Sequence, residues 1–231
     1  LARKKNIALN TRARRLIADE NPKSPIAEQF RTIRTNLQFT TVDHDLETML
    51  VTSASPSEGK SITTANTAVV FAQQGKKVLL VDADLRKPTI HYTFRIGNTK
   101  GLSNYLVSEQ AVTDLATNSE VKNLDLLPCG PIPPNPSELL GSQKMKAFIE
   151  EAKKTYDMII FDTPPVLAVT DSQVLSSFVD GVLLVVRSKQ TEKEAAVKAK
   201  EHLQQSNANL LGAVLNDQDL KSSNYYYYYG Q

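Results

Sequence analysis

Residues 48–61, TMLVTSASPSEGKS, constrain the fold more than any other stretch. A short apolar run ends in a loop carrying Gly59, Lys60 and Ser61, and a helical pattern begins at Ser61. Residues 54–61, ASPSEGKS, fit the spacing of a phosphate-binding P-loop, with Ala54 in place of its first glycine. The chemistry requires this order. Backbone amides wrap phosphate oxygens, the helix N-terminus adds positive potential, a lysine reaches the β and γ phosphates, and a serine hydroxyl binds Mg2+. The residues expected around a nucleotide, ATP, are therefore Ser57, Glu58, Gly59, Lys60, Ser61 and Ile62. A bare Gly-Lys-Ser match arises often by chance. An ordinary strand–turn–helix connection, however, gives no reason for Lys60 at a helix start, where a cation opposes the helix dipole.

The remaining pattern extends this unit. Apolar runs recur at 77–82, 124–127, 157–162, 180–187 and 209–215, with helical patterns at about 60–75, 137–154, 170–178 and 191–206. Runs lacking polar alternation are strands covered on both faces. Their alternation with helices predicts a doubly wound α/β fold, a mainly parallel sheet with helices on both faces. A preceding helix starts at Ser24 and Pro25 and carries Ile26, Phe30, Ile33 and Leu37 at helical spacing. The expected organisation is a basic tail over 1–22, one P-loop domain over 23–220 and a tyrosine-rich tail over 221–231. Residues 128–140, PCGPIPPNPSELL, read as a proline-rich loop entering a helix.

Two acidic motifs close strands. VLLVDADLRKP puts Asp82 and Asp84 at the end of the second run, with Arg86 beyond, and MIIFDTPP ends another run at Asp162. Ligands of doubly wound sheets bind outside the carboxyl ends of strands, so all three carboxylates can meet the phosphates and metal there. Asp162 is the expected Walker B acid. Asp82 and Asp84 offer a second metal contact beside Ser61 and Asp162, and a base that receives a nucleophile's proton. A single strand-terminal Asp is more often a helix cap or turn residue; three behind one P-loop favour a site.

Composition excludes several classes. No apolar run approaches the roughly 18 residues of a membrane span, and residues 1–15 lack the apolar stretch of a signal peptide. The lone Cys129 rules out an internal disulfide and suits a reducing compartment. Arg3, Lys4, Lys5, Arg12, Arg14 and Arg15 precede the first acid, Asp19. They fit a solvated tail or a weak attraction to an anionic membrane face, worth about 1 kcal/mol per base. They do not recur across the fold or interleave with aromatics, so no nucleic-acid partner is expected.

The chain ends SSNYYYYYGQ; Tyr225, Tyr226, Tyr227, Tyr228 and Tyr229 are five of its eight tyrosines. Together with ASPSEGKS, VLLVDADLRKP, GPIPPNPSELLGS and MIIFDTPPVLAVTDS, this ending resembles the bacterial tyrosine kinases that accompany capsular and exopolysaccharide synthesis. The resemblance covers about 20–231 and is nearest the stand-alone cytoplasmic type of Gram-positive bacteria. None of the motifs of eukaryotic protein kinases occurs. The resemblance implies Lys60 and Ser61 as Walker A residues, Asp82 and Asp84 as the second acidic motif, Asp162 as Walker B, and Asn216 against the adenine. In EQFRTIR it implies an oligomerisation motif, Glu28, Arg31 and Arg34, and a closed ring of about eight subunits. It also implies a separate membrane-spanning polysaccharide co-polymerase as activator, a cognate tyrosine phosphatase, and a cytoplasmic protein recruited to the inner membrane face.

The terminal tyrosines are then phosphoacceptors, entering a neighbour's site in trans. A phenol, with a pKa of about 10, needs a carboxylate to take its proton. Without a phosphate loop, the same run would read as a sticky tail or an interface strand. The rival class is the partitioning or cell-division ATPase, whose P-loop starts with a lysine where this chain has Ser55. A third reading is a nucleotide-dependent scaffold for polysaccharide export.

Overall fold

The computed structural model describes residues 15–40 and 45–219. The 225–229 tyrosines and the bases before Arg15 lie outside the described residues. The chain opens with α1 (Ile17–Glu20) and α2 (Pro25–Phe39), then β1 (Thr48–Ser53), α3 (Lys60–Gln73), β2 (Val78–Asp82) and the short helices α4 (Ile90–Phe94), α5 (Leu102–Val107) and α6 (Val112–Leu115). There follow β3 (Thr117–Asn118), β4 (Leu124–Leu127), α7 (Pro136–Leu140), α8 (Gln143–Lys153), β5 (Met158–Asp162), α9 (Asp171–Ser176), β6 (Gly181–Arg187), α10 (Lys193–Gln205) and β7 (Leu210–Asn216).

Among the described residues the strands form one sheet in the order β3-β4-β2-β5-β1-β6-β7. Every pairing is parallel except β3 with β4. Side chains alternate across the sheet, so Leu50 enters one core while Met49 and Val51 enter the other. α1 to α4 cover the second face through Ala18, Phe30, Phe71 and Ile90; α5 to α10 cover the first through residues such as Leu102, Phe148, Leu175 and Leu203. Phe148 sits edge-on to Phe161 at 6.2 Å and to Tyr105 at 5.2 Å, both favourable aromatic geometries. Burying each such ring contributes about 1.5–3 kcal/mol. The doubly wound fold is as the apolar runs imply.

Three local features depart from the sequence pattern. The basic tail expected through residue 22 gives way to packed chain. Ala18 is buried, its N–H donates to Asn66 Oδ1 at 2.9 Å, and its carbonyl accepts from Gln73 Nε2 at 3.0 Å. These partners lie on α3, far along the chain. The single helix expected over 137–154 is two, because the Ser142 hydroxyl accepts from Met145 N–H at 3.2 Å and caps a new start. β3, with two residues, adds an antiparallel edge too short to leave a periodic trace.

Candidate nucleotide and phosphoryl-transfer site

β1 is flanked by β5 and β6, so the loop after it opens at the middle of the sheet's carboxyl edge. Ser57 (φ 67°) and Gly59 (φ 88°) turn the loop into α3. Gly59 is favoured twice: its φ is one that L side chains rarely adopt, and a Cβ there would collide with Asn216 Nδ2. That nitrogen donates to the Glu58 carbonyl at 2.9 Å, so Asn216, expected against the adenine, has its amide on the loop itself. The Glu58 carboxylate is buried and turned inward. It accepts from Ser55 N–H at 3.1 Å and from the Thr191 hydroxyl at 2.6 Å. Arg187, at the end of β6, donates to the Ser57 carbonyl at 3.1 Å and to Asp217 at 2.8 and 2.9 Å. Neither Thr191 nor Arg187 carries a local sequence signal; both arrive by the pairing of β6 with β1.

Lys60 is the first residue of α3 and is 8% exposed. Its ammonium donates to Asp162 Oδ1 at 2.7 Å and Ser61 Oγ at 3.1 Å, and lies 4.0 Å from Asp84 Oδ2. Thr64 supports Asp162 Oδ1 at 3.3 Å. Asp82 and Asp162 are register neighbours on β2 and β5 and are fully buried. Asp82 Oδ2 accepts the Thr89 and Ile90 amides at 2.8 and 2.9 Å, so Asp82 does cap a helix, α4. Burial first, and then the neighbouring Asp162 carboxylate, push Asp82 up to about 7. Asp84 Oδ1 accepts from the Lys87 amide at 2.9 Å and the Arg86 amide at 3.3 Å.

The structure thus brings Lys60, Ser61, Asp84 and Asp162 into direct proximity, with Asp82 behind them. Two oxygens, Asp82 Oδ1 and Asp162 Oδ2, are buried without a hydrogen-bond partner. Buried polar atoms are rarely left so, and an ion is one standard explanation. With the Ser61 hydroxyl they fit a hard divalent cation that keeps water and phosphate oxygens as its other ligands. Among the described residues no three His, Cys, Asp or Glu side chains form a complete cage, which Mg2+ does not need.

The expected oligomerisation residues are only partly presented outward. Glu28 and Arg31 pair at 2.6 Å on the exposed side of α2, and Arg31 also donates to the Pro22 carbonyl. Arg34 instead turns onto its own chain and donates to the Val70 carbonyl of α3 at 2.8 Å. Burial lowers its guanidinium below the ordinary value.

A parallel sheet with a phosphate loop after its central strand, an invading lysine and acids on the adjoining strand ends defines a P-loop nucleotide-binding domain. The AAA domain family matches residues 47–210. The tyrosine-protein kinase YwqD of Bacillus subtilis is 54% identical over 94% of this chain and 92% of its own length. The putative tyrosine-protein kinase CapB of Staphylococcus aureus is 43% identical over 94% and 95%. The crystal structure of the chimerical protein CapA2B2 superposes with a TM-score of 0.83 at 44% identity, covering 87% of this chain and 88% of that one. The chain belongs to the bacterial tyrosine-protein kinase family.

Proposed function

We propose that this protein is an ATP-dependent tyrosine kinase whose phosphoacceptors are the 225–229 tyrosines of a neighbouring copy, acting in capsular or exopolysaccharide synthesis. The observation that carries the reading is the shared ammonium of Lys60, 2.7 Å from Asp162 and 4.0 Å from Asp84 behind the phosphate loop. The loop amides from Ser57 to Ile62 and the start of α3 bind the phosphates. Lys60 exchanges its carboxylate contacts for the β and γ phosphates. Ser61, Asp82 and Asp162 would hold Mg2+, which would supply charge neutralisation for the phosphates. Asp84, 7% exposed and less enclosed than Asp82, accepts the phenol proton as the tyrosine oxygen bonds to the γ phosphorus and the bond to the β–γ bridging oxygen breaks. ADP leaves.

Assembly follows the same reading: a homo-oligomeric ring of about eight held partly by Glu28 and Arg31, a membrane-spanning co-polymerase as activator, and a phosphatase that resets the tail. No helix among the described residues is long and apolar enough to cross a membrane, and recruitment to the inner face of the membrane is assigned to that activator. The partitioning-ATPase alternative is disfavoured by Ser55 at its lysine position and by the relatives' kinase names. Incubation of the purified protein with γ-labelled ATP and phosphoamino-acid analysis is the test. Phosphotyrosine that disappears when the 225–229 tyrosines become phenylalanine is the expected result. Free phosphate without phosphotyrosine would point to the ATPase, and neither product to the scaffold.

A further inference from the structure

One cluster beside the site has no part in the mechanism above. Arg86, four residues beyond the end of β2, forms a two-pronged ion pair with Asp171 through Nε at 2.9 Å and Nη2 at 3.0 Å. Nη2 also donates to Ser137 Oγ at 3.2 Å, and the Ser137 hydroxyl in turn donates to Asp171 Oδ1. Asp171 has no exposed side-chain surface, whereas the Arg86 side chain is 40% exposed. The hydrogen-bonded Asp171 carboxylate raises the Arg86 guanidinium above its ordinary value.

The position of this cluster gives it a consequence for Asp84. The Asp84 carboxylate is oriented by the backbone amides of Arg86 and Lys87, so its aim follows the path of the loop just beyond it. The Arg86 side chain fixes that loop from outside. Its anchor, Asp171, is fully buried beside the segment that follows Asp162. The next residue, Ser172, donates to the Pro164 carbonyl at 2.5 Å and to Thr163 Oγ1 at 3.0 Å, and Thr52 of β1 donates to the same Pro164 carbonyl at 2.8 Å. Thr163 and Pro164 directly follow Asp162. The ion pair therefore links the loop that aims Asp84 to the segment that carries Asp162. A planar fork matched to a carboxylate fixes direction as well as distance, which a single-point contact does not.

We propose that Arg86, Asp171 and Ser137 are positioning residues that hold Asp84 in register with Lys60 and Asp162 for phosphoryl transfer. The proposal rests on the kinase reading. A staple for the fold alone would bind the same elements without acting through Asp84, and a double-mutant design separates the two.

The experiment measures tail phosphorylation for Arg86→Gln and Asp171→Asn, each alone and in an Asp84→Asn background, with fluorescent ADP binding alongside. Losing a partner that orients a site group typically costs about 10–100-fold, so kcat should fall by that factor in the wild-type background. ADP affinity should stay within about twofold. In the Asp84→Asn background the same substitutions should change the residual rate by less than about twofold, because the group they aim is gone. Arg86→Lys, which keeps the charge beside Asp171 but not the fork, should give an intermediate kcat and covers the case in which Asp171→Asn does not fold. Equal losses in both backgrounds, or unchanged kcat in Arg86→Gln, would overturn the proposal. A readout independent of activity is amide hydrogen exchange at Arg86 and Lys87. It should accelerate in Arg86→Gln, and unchanged protection there would also count against the clamp. Failure of the kinase reading looks different: wild-type protein would yield no phosphotyrosine while the exchange measurement still reported on the clamp.

Discussion

Lys60 and Asp162 lie 2.7 Å apart; Glu28 and Arg31 lie 2.6 Å apart. By distance the two pairs are equivalent, yet they belong to opposite regimes. At the sheet edge Asp162 is fully enclosed and the Lys60 side chain is 9% exposed, so neither charge has a ready substitute partner in water. On α2 the Glu28 side chain is 62% exposed, and solvent replaces whatever Arg31 provides. Separation alone therefore says little about what an ion pair does. Burial decides whether removing one member strands the other. The inner group is a set of charges enclosed at the end of the sheet. The outer one is a solvated surface pair.

The sharpest way to break this contrast is Lys60→Met. It should reduce autophosphorylation by about 10³-fold or more, as for loss of a principal charge-stabilising group. It also leaves a buried carboxylate supported by Thr64 alone, so thermal unfolding in the absence of nucleotide should shift as well. Wild-type phosphotyrosine levels would remove Lys60 from the mechanism. Asp84→Asn comes next, with a rate loss of roughly 10²-fold expected for a general base and little change in ADP binding. Near-normal turnover at saturating ATP and Mg2+ would show Asp84 to be structural.

A pH experiment tests the enclosed group more gently. Asp82 is raised to about 7 in the folded protein, against an ordinary 3.8. Between those values the native state keeps a proton that the unfolded chain has lost, so unfolding releases protons. Without Mg2+ and nucleotide, this group's contribution to stability should therefore be fullest below pH 4 and decline as pH rises toward 7. Denaturant midpoints against pH should follow that decline in the wild type and lose this component in Asp82→Asn. Equal pH slopes in the two proteins would mean Asp82 ionises normally.

The smallest effects belong to α2. Glu28→Ala and Arg31→Ala should each cost less than about 1 kcal/mol of stability. Arg34→Ala should cost about 1 kcal/mol or somewhat more, since it frees the buried Val70 carbonyl. The triple variant should nonetheless lower the mass seen by light scattering and make autophosphorylation weak and steeply concentration-dependent. A monomer with full, concentration-independent autophosphorylation would end the trans reading.

The same contrast explains what could be read from sequence. Lys60 was legible from the P-loop spacing, and Asp82, Asp84 and Asp162 because they sit at or just beyond the end of an apolar run, a place that topology brings to the carboxyl edge of the sheet. Asp171, Ser137, Thr191 and Arg187 were not. Asp171 meets Ser137 across 34 residues and Thr191 meets Glu58 across 133, and nothing near them departs from ordinary helix starts and strand ends. α4, α5 and α6 are too short to show a helical period. The tail boundary slipped because Ala18 is held by hydrogen bonds to α3 rather than by any apolar pattern of its own. Arg34 shares the EQFRTIR motif with Glu28 and Arg31, but its side chain bends back to α3.

The bond from Asn216 to the Glu58 carbonyl spans 158 residues, and it bears on how the protein is made. On the ribosome, at about 5–20 residues per second, roughly 8–30 s separate the synthesis of the phosphate loop from that of the residue that closes over it. β1 waits through most of that interval for its neighbours β5 and β6. The nascent chain thus carries a strand destined for full burial and an unfinished loop together. The loop's hydrogen bond from Asn216 cannot form until translation reaches β7.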